Sequence, residues 1–203
     1  MASVADRIIR RIRAQTAHGT RLVFTAKDFY DLGGRAAVDQ ALSRLTKDGK
    51  LRRIQRGLYD LPRVNPILKR VAAPDVDAVV DAIARRDSVT IVSNGMAAAN
   101  RLGLTTAVSA KNDYLTDGPS RTLKVGSRVV RLKHAGAKVM AMKDRPAGDV
   151  VRAIHWLGPD VAQDDDVIDT LRRRLPPKVK RDLAKAKPSM SAWAARVTDR
   201  VLG

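Results

Sequence analysis

Between residues 35 and 56 the chain concentrates side chains suited to reading and gripping a nucleic-acid duplex. Arg35, Ala36, Asp39, Gln40, Ser43, Arg44 and Lys47 recur at helical spacing, and Arg52, Arg53 and Arg56 follow them closely. An arginine can bind guanine O6 and N7 with two donors, and a glutamine can do the same for adenine N6 and N7. Ala36 permits close approach, and its methyl can meet that of a thymine. Asp39 is a poor neighbour for phosphate; it either orients Arg35 one helical turn away or accepts from cytosine N4. Lys47, at the far end, suits the phosphate backbone. Arg52, Arg53 and Arg56, with Lys50 at their base, form a cluster of the kind that grips phosphate or enters a minor groove.

The surrounding pattern supplies elements to hold these groups. Val38, Ala41, Leu42 and Leu45 share one face of a helix predicted over residues 35–48, which leaves the set above on the opposite face. Gly33-Gly34 breaks the chain before it and Gly49 closes it. Upstream, Val4, Ile8, Ile9 and Ile12 predict a helix over 4–17 with Ser3 as N-cap. A short strand at 22–24 and a helix at 26–32, capped by Thr25, come next. Downstream, 51–54 and 58–61 read as strands joined through Gln55-Arg56-Gly57 and ended by Pro62. Helix, strand, helix, tight turn, helix and hairpin is the order of a winged helix-turn-helix, whose second helix lies in the major groove.

Residues 62–74, with Pro66 and Lys69-Arg70, read as a linker, dividing the chain into domains 1–66 and 67–203. The second domain predicts a helix at 75–86, a buried strand at 88–92, a helix at 94–102 and strands at 113–116, 121–125 and 128–133. From residue 147 the pattern is helical, broken at Gly158-Pro159, Pro176-Pro177 and Pro188. The fold class expected is α+β: an N-terminal winged helix-turn-helix followed by a mixed α/β domain with a helical C-terminal end.

Bulk composition points the same way. The 203 residues carry 39 Lys and Arg against 21 acids, every acid an Asp, for a net charge of +18. Residues 1–70 hold +10 of that surplus, 71–143 hold +5 and 144–203 hold +3. Such a gradient draws polyanions to the first third of the chain. No apolar run approaches the roughly 18–20 residues that span a bilayer, and the basic start is not that of a signal peptide, so a cytoplasmic address is expected. There is no cysteine for a disulfide or thiolate site.

Other clusters read as structural. His18, His134 and His155 are scattered, with no second ligand at metal-binding spacing. Asp164-Asp165-Asp166 is read as a helix start favoured by the dipole, and Ser93-Asn94-Gly95 as a serine N-cap. Asp113, Asp117 and Lys124 on neighbouring strands fall short of a nuclease core. No catalytic residue, metal or cofactor is expected, and no heptad seam is visible, which points to a monomer.

The stretch from Val23 to Pro62, VFTAKDFYDLGGRAAVDQALSRLTKDGKLRRIQRGLYDLP, resembles the N-terminal domain of the AbiEi family of bacterial antitoxins, from type IV toxin-antitoxin systems used in phage defence. The matching features are the F-T entry, the Gly turn, A-L-S-R-L, G-K-L and R-G-L-Y before the proline. More loosely, SVTIVSNGMAAANRLGLTT resembles the opening of that family's C-terminal domain, and LRRRLPPKVKRDLAKAK with the Trp193 segment resembles its helical end. The resemblance implies an antitoxin that represses its own operon at promoter inverted repeats and counters a nucleotidyltransferase-like toxin. By position it places DNA contacts on Arg35, Gln40, Ser43, Arg44, Arg52, Arg53 and Arg56. Two further readings remain beside it: a stand-alone winged-helix regulator whose C-terminal domain senses a small ligand, and a winged helix that binds protein or RNA.

Overall fold

The computed structural model describes residues 2–19, 22–67, 69–108 and 111–203. The architecture is α+β, and the chain divides into two compact units, Met1–Val89 with Leu123–Val129, and Thr90–Thr122 with Val130–Gly203.

In the first unit α1 (Val4–Ala17) begins where its cap predicts. The Asp6 amide donates to Ser3 Oγ and the Ser3 amide to Asp6 Oδ2, both at 3.2 Å, so two end donors are satisfied reciprocally. Ile8 and Ile12 are fully buried against Val38 and Leu42 of α2 (Arg35–Lys47), with Phe24 and Phe29 in the same core. The segment after Thr25 forms a single 3-10 turn (Ala26–Phe29), shorter than the helix expected at 26–32. Gly49, at φ +68°, makes the left-handed exit from α2. The Leu51 amide then donates back to the Leu45 carbonyl at 3.1 Å, returning the chain toward the core.

Strands β1 (Val23–Phe24), β2 (Arg52–Gln55) and β3 (Leu58–Asp60) form an antiparallel sheet in the order β1-β3-β2. Phe24 and Arg53 both stand opposite Tyr59, and a register shift follows Arg53 before the turn at Gly57.

Residues 62–74 differ from the linker expected. They hold a two-stranded hairpin, β4 (Val64–Asn65) and β5 (Arg70–Val71), with Val64 opposite Val71. Strands of two residues are too short to show an alternation in sequence. The expected boundary at 66/67 also moves, because α3 (Val76–Asp87) belongs to the first unit. Arg85 Nη2 donates to the Val23 carbonyl at 3.0 Å and Lys27 Nζ to the Arg86 carbonyl at 2.6 Å, tying α3 to the segment around β1.

The second unit contains β6 (Ile91–Ser93), α4 (Gly95–Arg101) and β7 (Asn112–Thr116), while β8 (Arg121–Val125) and β9 (Arg128–His134) are divided between the two units; the four strands form a sheet of order β6-β7-β9-β8. β7 runs antiparallel to β6 and parallel to β9. The strand expected at 88–92 starts later and is half-buried rather than buried, since Ser88 is the left-handed cap of α3. The helical end is α5 (Ala147–Val161), kinked at Gly158, then α6 (Asp165–Arg174), α7 (Pro177–Ala186) and α8 (Ala192–Leu202). Val150, Ile154, Leu171, Leu183 and Val197 form its core. α4 packs on α5 through Gly95, where an added Cβ would lie 2.4 Å from Trp156 Cβ.

Candidate nucleic-acid interface

The predicted reading face of α2 is outward. Val38, Ala41, Leu42 and Leu45 are buried, while Arg35, Ala36, Asp39, Gln40, Ser43, Arg44 and Lys47 are all exposed. The 3.6-residue period decides this locally: one apolar stripe facing α1 forces the complementary stripe into solvent. The start of α2 is positioned by α1. Arg7 Nη2 donates to the Leu32 carbonyl at 2.6 Å, and Arg11 grips both carboxylate oxygens of Asp31 at 2.7 and 2.6 Å. That bidentate contact holds the Asp31 carboxyl below its ordinary range.

Two carboxylates temper the face. Arg35 Nε lies 4.0 Å from Asp39 Oδ2, and Arg44 Nε lies 4.0 Å from Asp48 Oδ2, each one turn apart. Both arginine side chains remain more than three-quarters exposed. Exposed pairs of this kind contribute about 0–1 kcal/mol and exchange readily for a stronger anion.

The β2–β3 hairpin divides the three predicted arginines. Arg53 and Arg56 are exposed and, with Arg35, Asp39 and Ser43, line a groove of about 510 Å³. Tyr30, Tyr59 and Thr25 line it too. Arg52 does not join them. Its side chain turns inward, binding Asp60 through Nε at 2.9 Å and through Nη2, and donating from Nη1 to the Ala72 carbonyl at 2.8 Å. Alternation along β2 puts adjacent side chains on opposite faces, and the inward one meets a carboxylate that is nearly buried. Arg52 is therefore a structural arginine, against its expected place among the contact residues.

Residues absent from the sequence reading also line the groove. Lys27 and Tyr30 precede the Gly turn. Arg86 reaches from α3, its Nη1 donating to the Arg56 carbonyl at 3.0 Å, so it holds the hairpin turn from behind. The exposed aromatic ring of Tyr30 was a usable signal. Arg86 offered none, since its contact spans 30 positions.

Elsewhere the polar clusters resolve into local pairs. The α4 cap is Asn94, not Ser93: Asn94 Oδ1 accepts from the Ala97 amide at 2.8 Å, while Ser93 Oγ accepts from Arg101 at 2.5 Å. Asp165 and Asp166 occupy the first turn of α6, as read. Asp113 pairs with Arg131 and Asp117 with Lys143. His155 is half-buried, edge-on to Trp193, with ring centroids 5.2 Å apart. Burial, reinforced by Lys138, pushes its pKa below 6.5. Asp117, Lys143, His134 and Met140 line a second cavity of about 350 Å³. Among the described residues no three His or Asp side chains gather as a metal site, and no helix is long and apolar enough to cross a membrane.

Residues 7–182 match the family of unknown function DUF6088. No curated protein matches the chain. Among solved structures, that of the RV2827C protein from Mycobacterium tuberculosis is similar at 16% identity, covering 98% of this chain and 76% of that one with a TM-score of 0.42.

Proposed function

The chain belongs to the DUF6088 family, and we propose that its first unit is a winged helix-turn-helix that binds double-stranded DNA. One observation carries the reading: a helix whose inner stripe is buried offers Arg35, Gln40, Ser43 and Arg44 to solvent, flanked across a groove by the exposed Arg53 and Arg56. In this mode α2 enters the major groove, where Arg35, Gln40, Ser43 and Arg44 read base edges beside the small Ala36. Lys47, Arg53 and Arg56 take the phosphates. Arg52 and Arg86 position the hairpin without touching DNA.

The sequence resemblance to AbiEi antitoxins supports reading this activity as that of an antitoxin and autorepressor. Occupied inverted repeats would close its own promoter, and the second unit would counter a nucleotidyltransferase-like toxin. An electrophoretic shift with the DNA upstream of its own gene tests the binding step. Wild type shifts the probe, and Arg44→Ala with Arg56→Ala weakens it at least tenfold. Equal binding by both removes this surface from the interface.

The cavity beside Asp117 and Met140 supports a second reading, a regulator whose second unit takes a small ligand. A melting shift caused by a metabolite pool, and lost in Met140→Trp, would favour it. A neighbouring nucleotidyltransferase gene would count against it.

A further inference from the structure

The β4–β5 hairpin carries apolar side chains that no described residue of its own unit covers. Val64 and Val71 stand directly opposite one another, 65% and 56% exposed, and Ile67 at the turn is 87% exposed. A lone two-stranded ribbon is marginal in water, and stripping it of a covered side makes it more so. Its described residues make local hydrogen bonds. The Ile67 amide donates to Asn65 Oδ1 and the Lys69 amide to the Asn65 carbonyl, both at 2.9 Å. At the root, Ala72 donates to the Arg63 carbonyl at 2.7 Å, and the Ala72 carbonyl receives Arg52. The inward arginine of β2 thus anchors this ribbon to Asp60 of β3.

Charge selects the occupant. Arg63, Lys69 and Arg70 are exposed and make no ion pair among the described residues, and residues 61–74 contain no acid. Three apolar side chains are a small patch beside the roughly 800 Å² per partner of a stable protein interface. They are the right size for a wedge. Apolar groups, isoleucine and proline among them, enter minor grooves between base steps while flanking cations hold the strands. Pro66-Ile67 at the tip, with Arg63 just before β4, Lys69 just before β5 and Arg70 at its start, is that arrangement.

We propose that the β4–β5 hairpin is a second DNA-contacting arm that enters the minor groove, with Ile67 as its wedge and Arg63, Lys69 and Arg70 on the flanking phosphates. The proposal rests on the DNA-binding reading of the same unit and adds a contact independent of α2. The full chain is titrated onto a 40-bp mixed-sequence duplex containing an A·T tract and 2-aminopurine. Four proteins are compared: wild type, Ile67→Ser, the triple variant Arg63→Ala/Lys69→Ala/Arg70→Ala, and Arg44→Ala/Arg56→Ala as a reference. The triple variant should bind at least tenfold more weakly, with a log-log salt slope shallower by about 2–3 at roughly 0.9 per phosphate. Ile67→Ser should keep the wild-type slope and lose the 2-aminopurine fluorescence rise. Netropsin, which fills the minor groove, should weaken wild type several-fold and leave the triple variant unaffected; the wild-type half of this comparison does not depend on any variant folding. Hairpin variants that bind like wild type, beside a reference that does not, overturn the arm and leave the α2 reading standing. A wild type indifferent to netropsin overturns it as well. A wild type that sediments as a dimer and hairpin variants that sediment as monomers, with DNA binding unchanged, assign the face to a second copy and overturn it. Failure of wild type to bind any duplex removes the underlying reading first, and the arm with it.

Discussion

Arg52 and Arg53 are adjacent and chemically identical, yet their replacement should produce opposite phenotypes. Arg52 places three donor groups on Asp60 and the Ala72 carbonyl. Its side chain is 26% exposed and that of Asp60 only 8%. Arg52→Ala leaves a nearly buried carboxylate without its cation, a loss of about 3–5 kcal/mol where both partners are buried. The partial exposure of Arg52 puts the expectation near the lower end, about 3 kcal/mol. For a unit of roughly 100 residues each kcal/mol moves the midpoint about 4–8 °C, so the first thermal transition should fall by about 12–24 °C. Arg53→Ala removes an exposed side chain and should alter stability by less than about 0.5 kcal/mol. It should instead weaken DNA binding severalfold and make the salt slope shallower by about 0.9. Urea denaturation followed by circular dichroism measures the first quantity, and fluorescence anisotropy on a labelled duplex the second. Pairing Arg52→Ala with Asp60→Ala should recover part of the loss, because no unpaired charge then remains; the cycle should report a coupling above about 1.5 kcal/mol. Equal stability losses at the two positions would refute the assignment of Arg52 to the frame and Arg53 to the surface.

Wild-type binding should show a log-log salt slope of at least about −2.7 from Lys47, Arg53 and Arg56 alone, measured between 50 and 300 mM salt; a salt-independent affinity would contradict phosphate contact. His155 favours its neutral form in the fold, so the unfolded chain binds the proton more readily. Stability present above pH 6.5 should therefore drain away as pH falls below that value, and His155→Gln should flatten the dependence in urea titrations run from pH 7.5 to 5. Gly95→Ala forces a methyl against Trp156 Cβ at 2.4 Å and the Arg152 carbonyl at 2.6 Å, where backbone cannot yield. It should cost about 2–3 kcal/mol by calorimetry, whereas Gly34→Ala, with nothing within 4 Å of the added methyl, should cost less than about 1 kcal/mol.

Local physics made much of the first unit legible. The spacing of Ile8 with Ile12, and of Val38, Ala41, Leu42 and Leu45, settles which stripe of each helix is buried, because helical period and apolar burial act within a few turns. The outward position of Arg35, Gln40, Ser43 and Arg44 follows from the same pattern. So do the Ser3 cap and the left-handed exit at Gly49, which need only neighbouring residues. Tertiary structure decided the rest. Alternation says that Arg52 and Arg53 face opposite ways, but only the pairing of β2 with β3 and the return of the chain at Ala72 determine which one is enclosed. The membership of α3 rests on Arg85 and Lys27 contacts spanning 62 and 59 positions. The β4–β5 ribbon has two-residue strands, too short for any periodicity, and the parallel pairing of β7 with β9 joins segments that are not consecutive. Sequence determines what each short stretch prefers to bury, because that preference is set by its own side chains. Which distant groups then meet is set by chain closure, and no short window contains it.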